Sequence, residues 1–102
     1  MSRMNITDFQ LLASLTLDER KSDQMNIDFF SEKLKEEAQE ILFELFPSNP
    51  DKSVDRIKLA YELGDLIRVC SQIATLNEIN LSEVLLDNLD KMEKRFKDNQ
   101  TD

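Results

Sequence analysis

Glu36-Glu37-Ala38-Gln39-Glu40 and Glu62-Leu63-Gly64-Asp65, separated by a loop that holds Pro47 and Pro50, are the stretches whose reading decides the fold. Glu37 and Glu40 are three residues apart, as are Glu62 and Asp65. In a helix, residues at that spacing share a face. Two such helices folded back on each other bring four carboxylates together. Like charges about 4 Å apart repel by roughly 4 kcal/mol at an effective dielectric of about 20. A divalent cation reverses the sign of that interaction, so the pattern points to a Mg²⁺ site for a phosphate-bearing substrate.

Working outward, the segment over 27–46 reads as a helix. Phe30, Leu34, Ala38, Ile41 and Leu45 form an apolar stripe of helical period. Asn26 and Asp28 are the candidate caps. Glu37 falls about 60° from Leu34, at the stripe's edge. Glu40 and Glu44 lie just beyond it, and Glu36 is further round. Pro47 stops this helix. Asn49 followed by Pro50, or else Ser53, starts the next. The short connection favours antiparallel neighbours.

The second helix, over 53–76, is the most apolar. Glu62 breaks its pattern, lying about 40° from Leu66. An acid inside an apolar arc is costly unless paired or metal-bound. Asp65 and Lys58 fall on the same flank. Gly64, the only Gly, sits mid-helix, where it costs about 1 kcal/mol relative to Ala. It marks either a close approach or bend at the acids, or a helix–helix packing contact.

A shorter helix is predicted over 7–18, capped by Asn5 or Thr7, with a polar loop to residue 25. Asn80 and Glu83 read as a capping box. The last helix, over 81–97, carries Leu81, Leu85, Leu89, Met92 and Phe96 on one stripe, with Asn88, Lys91 and Arg95 on its flank. Residues 98–102 read as a flexible tail.

The whole is expected to be a single all-α domain over 1–102, a four-helix, antiparallel, bundle-like arrangement assembling as an oligomer. Its 102 residues, 40% hydrophobic and 33% charged, suit one globular domain. A net charge of −8 argues against nucleic-acid binding. The absence of His removes His-based zinc sites and Ser-His triads. A lone Cys70, apolar runs too short to span a membrane and an N-terminus without a signal-peptide core lead to the expectation of a cytoplasmic protein with no membrane partner.

The order Glu-Glu-x-x-Glu, 21 residues, then Glu-x-Gly-Asp resembles the signature of the MazG-type nucleotide pyrophosphohydrolases, of the all-α NTP pyrophosphatase superfamily. The resemblance covers about residues 30–97. It implies Glu37, Glu40, Glu62 and Asp65 as ligands of Mg²⁺, or of Mn²⁺. It implies Lys58, Lys91 and Arg95, with Asn88, as phosphate contacts. Glu36 and Glu37 are the implied catalytic carboxylates, assisted by Lys58. The implied reaction is hydrolysis of a (deoxy)nucleoside triphosphate to the monophosphate and pyrophosphate, as house-cleaning of nucleotide pools. The implied assembly is a homodimer or homotetramer. Lys33, three residues before Glu36, also resembles phosphoribosyl-ATP pyrophosphohydrolases, but Gly64 stands where those enzymes usually carry Ala. No Trp is present to stack a base; Phe9, Phe29 and Tyr61 are the alternatives. A competing reading of another class is a non-enzymatic helical interaction module.

Overall fold

The computed structural model describes residues 4–47 and 51–100, apart from the side chain of Gln100. Four helices follow in order: α1 (Ile6–Ser14), α2 (Asp23–Leu45), α3 (Arg56–Leu76) and α4 (Leu81–Gln100). Each boundary has a local cause. Asn5 caps α1, its Oδ1 accepting the Asp8 N–H at 2.8 Å. The helix stops short of Asp18 because the N–H groups of Leu15, Thr16 and Leu17 bond three residues back, tightening the last turn. The Thr16 hydroxyl also donates to Ala13 O.

Helix α2 starts a turn earlier than periodicity predicts. Ser22 caps it by accepting the Met25 N–H, so neither Asn26 nor Asp28 is the cap. Asn26 is instead buried, and its Nδ2 donates to the carbonyls of Asp18 and Ser22, pinning the α1–α2 loop. Helix α3 begins at Arg56, because Asp55 Oδ1 accepts both the Ile57 and Lys58 N–H groups. Ser53 therefore lies outside the helix; the Asn49–Pro50 alternative lies outside the described residues.

At the end of α3, the Glu78 and Ile79 N–H groups return to Thr75 O and Ala74 O, a Schellman turn. Its left-handed residue is Glu78, φ 56°, where glycine is usual. An L-residue in that region costs roughly 1–2 kcal/mol, and glycine's greater unfolded freedom returns part of it. Glu78→Gly is therefore expected to stabilise the fold by roughly 0.5–1 kcal/mol in a urea melt. Asn80 Oδ1 then accepts the Glu83 N–H, one half of the expected capping box. Helix α4 runs through Gln100, so residues 98–100 are helical; Thr101 and Asp102 lie outside the described residues. A Lys97–Glu93 ion pair at i,i+4 supports its last turns.

Helices α2 and α3 make the principal contact and run antiparallel. Helix α1 lies across α3 and touches the start of α4. Gln10 clasps that junction: its Nε2 donates to Ile79 O and Thr75 Oγ1, and its Oε1 accepts the Leu81 N–H. Among the described residues, the buried apolar ones are few: Ala13, Phe30, Val69 and Ala74. The radius of gyration, 17.0 Å, exceeds the ~13 Å of a compact chain this long. The reason is α4. Its stripe of Leu85, Leu89, Met92 and Phe96 is exposed, so the fourth helix does not close a bundle within one chain.

Candidate active site

Antiparallel packing lays the two acidic segments along one seam between α2 and α3. Glu37 and Glu62 are 7% and 8% exposed, buried although both are acids. One oxygen of each, Oε2, is shut from solvent and has no hydrogen-bond partner among the described residues. The Glu37 carboxyl is pushed up from its ordinary 4.5, first by burial, then by the charges of Glu40 and Asp65 and a hydrogen bond with Glu40; Lys33 opposes. Glu62 is pushed up by burial, then by Glu44 and Glu40, with Asp65 adding to the rise and Lys58 opposing. The four expected acids thus act on one another across the seam.

Basic residues flank them. Lys58 Nζ pairs with Glu44 Oε1 at 3.1 Å, and that carboxylate holds the ammonium above its usual range. Arg68 Nη2 reaches Asp65 at 3.5 Å, and Lys33 Nζ reaches Glu36 at 3.6 Å. Glu36 lines an open groove with Glu40, Glu44, Lys58 and Glu62. Three of these residues escaped sequence reasoning as part of the site. Glu44 was visible as the next turn after Glu40. Lys33 and Arg68 were visible one turn outside the acids, at i−4 from Glu37 and i+3 from Asp65.

The structure does not bring every expected residue to the seam. Asn88, Lys91 and Arg95 are exposed on α4, which contacts α1. Among the described residues, no hydrogen bond or ion pair ties these three to the acids. Nor, among the described residues, do three or more Asp, Glu or Cys side chains converge closely enough to hold a metal ion as they stand. The donor chemistry nonetheless fits a hard divalent cation: all-oxygen ligands, two of them buried and without donors.

Gly64 has open space where a Cβ would stand, with no atom of the described residues within 4 Å. No neighbour among the described residues therefore requires glycine there. The surface around it, with Ile57 and Tyr61 at 74% and 75% exposure, is apolar and open. Among the described residues, no helix is long and apolar enough to cross a membrane.

Comparisons with curated proteins and with solved structures return no match. A family model does match: the MazG nucleotide pyrophosphohydrolase domain, over residues 26–99. That interval holds all of α3 and nearly all of α2 and α4, with both acidic segments inside it, and the chain belongs to the MazG nucleotide pyrophosphohydrolase family.

Proposed function

We propose that this protein, acting as one domain per chain, hydrolyses (deoxy)nucleoside triphosphates to the monophosphate and pyrophosphate in a Mg²⁺-dependent reaction, clearing surplus or non-canonical nucleotides. The observation that carries the reading is the pair of buried, partnerless carboxylate oxygens on Glu37 and Glu62. Glu37, Glu40, Glu62 and Asp65 would hold the ion, with Mn²⁺ as a substitute. Such an ion, when bound, offsets the charge of the substrate phosphates and acidifies water.

The remaining work falls to side chains. Glu36, at the exposed rim of the groove, accepts the proton of the attacking water on its carboxylate. Glu37, held by burial, orients that water. The water oxygen bonds to the α-phosphorus as the bond to the β-phosphate bridging oxygen breaks, and pyrophosphate departs. Lys58, its own side chain 60% exposed, swings from the mostly buried Glu44 to the departing phosphate. Asn88, Lys91 and Arg95 serve as further phosphate contacts, delivered by a neighbouring copy.

That delivery requires an oligomer, a homodimer or homotetramer. Its support is the exposed α4 stripe together with the open Ile57–Tyr61–Gly64 face, more apolar surface than a monomer usually shows. Light scattering is expected to give at least twice the 11.9 kDa chain mass. Leu89→Asp with Phe96→Asp should reduce the mass to that of one chain. A monomeric wild-type protein would remove this part of the reading. The reaction itself is tested by pyrophosphate release from a panel of NTPs and dNTPs with Mg²⁺ or Mn²⁺. Folded protein that releases none from any of them would refute it.

A further inference from the structure

Beyond the acids, the same seam leads into a second cavity, of about 230 Å³. Its walls include Phe29, Phe30 and Val69, with Lys33 and Arg68 on the side toward the acids and Gln72 opposite. It is smaller than the roughly 300–1,000 Å³ of pockets for drug-sized ligands, so it suits a single ring system. Phe29 stands edge-on to Phe30, with centroids 5.1 Å apart, and Lys21 Nζ lies 4.7 Å from its ring centre. In a chain of net charge −8, two basic side chains, Lys33 and Arg68, therefore line this one cavity, and Lys21 lies over the ring of a third lining residue, Phe29.

Gln72 is the anomaly. It is 2% exposed, and its carboxamide is fixed at one end only. Nε2 donates to Ala13 O and to Thr16 Oγ1 at the end of α1. Oε1 is sealed from water and accepts no hydrogen bond among the described residues. The anchoring by α1 prevents the amide from turning to relieve it. A buried carbonyl oxygen of this kind is an acceptor only. A ligand that satisfies it must present a donor.

We propose that this cavity binds the nucleobase, and that Gln72 selects bases carrying an exocyclic amine where their oxo counterparts carry a carbonyl: adenine over hypoxanthine, cytosine over uracil. The amine donates to Oε1, whereas a carbonyl would set oxygen against oxygen. Phe29, partly exposed, supplies the aromatic contact for the ring. Placement of the sugar and phosphates rests on the function proposed above. From Asp65 to Gln72 the α3 axis advances about 10 Å, enough to set a base at Gln72 while its phosphates lie by the acids. The long, exposed Lys33–Glu36 and Arg68–Asp65 pairs lie between, ready to exchange onto a phosphate.

The test uses nucleosides, so it depends on neither metal nor catalysis. Adenosine, inosine, cytidine and uridine are titrated into ¹⁵N-labelled protein, and dissociation constants are read from amide shifts. Wild-type protein is expected to bind adenosine over inosine, or cytidine over uridine, by at least tenfold. Gln72→Leu should bring each pair within twofold. Phe29→Ala, at a partly exposed position, should weaken the preferred nucleoside at least fivefold. If Gln72→Leu does not fold, the wild-type pairs and Phe29→Ala decide. No binding, or equal affinities within both pairs, would overturn the proposal even if triphosphates are hydrolysed. Discrimination with no pyrophosphate release would uphold this site and refute the proposed reaction.

Discussion

Glu62→Gln is expected to remove pyrophosphate release from every triphosphate, by roughly 10²–10³-fold or more, with far-UV circular dichroism unchanged. Loss of one preorganised electrostatic contact in a reaction centre has effects of about that size. The substitution keeps the shape of the side chain and removes its charge. Packing against its buried surroundings is thus preserved, while the donor set for the cation falls by one carboxylate. A scaffold role predicts the opposite. An isosteric amide would leave turnover intact, and the metal-free fold would gain stability from the relief of repulsion by Glu40 and Glu44. Gain of metal-free stability together with loss of turnover marks a site strained for function.

The second large effect is on thermal stability. Glu37 and Glu62 have carboxyls raised above their ordinary 4.5 in the folded state. Between that value and the raised ones, the folded chain binds more protons than the unfolded chain, so stability falls as pH rises. Their contribution is fully present below pH 4.5 and is lost as pH climbs through the raised values. Asp18, lowered first by its side-chain hydrogen bond to Arg20, acts in the opposite sense, below its ordinary 3.8. Metal-free protein should therefore melt at a lower temperature at pH 7.5 than at pH 5. Mg²⁺ should reverse the trend, because it binds the ionised carboxylates of the folded state alone. A melting temperature that rises from pH 5 to 7.5 without metal would contradict the strained seam.

Much of this was legible in the sequence because it is a property of single helices. The four-residue recurrence of Phe30, Leu34 and Ala38, and the intrusion of Glu62 into an apolar arc, need only a 3.6-residue period. Glu62 stands out on that ground and Glu37 falls at the edge of its stripe; both are buried. Helix starts were less legible, since any Ser, Asp or Asn near the boundary is a candidate cap. Ser22 and Asp55 won over Asn26 and Ser53 through backbone geometry that composition does not encode. Glu44 was missed because a wheel shows one helix and its pair with Lys58 crosses from α3 to α2; Lys33 and Arg68 pair within their own helices, one turn outside the acids, where a charged side chain reads as ordinary surface. The exposed α4 stripe shows the remaining limit. Amphipathicity says that Leu89 and Phe96 need a cover; it does not say which chain supplies it.

The most direct measurement is a Mg²⁺ titration of the melting temperature at pH 7.5, on wild type beside Glu62→Leu. At ten times its dissociation constant, an ion that binds only the folded state contributes about 1.4 kcal/mol. For a domain of this size that is roughly 5–10 °C. We expect a saturating rise of that order in the wild type, and a flat response from a Glu62→Leu protein that melts higher without metal. A wild-type melting temperature indifferent to Mg²⁺ and Mn²⁺ would contradict the claim that α2 and α3 hold their carboxylates together for a cation.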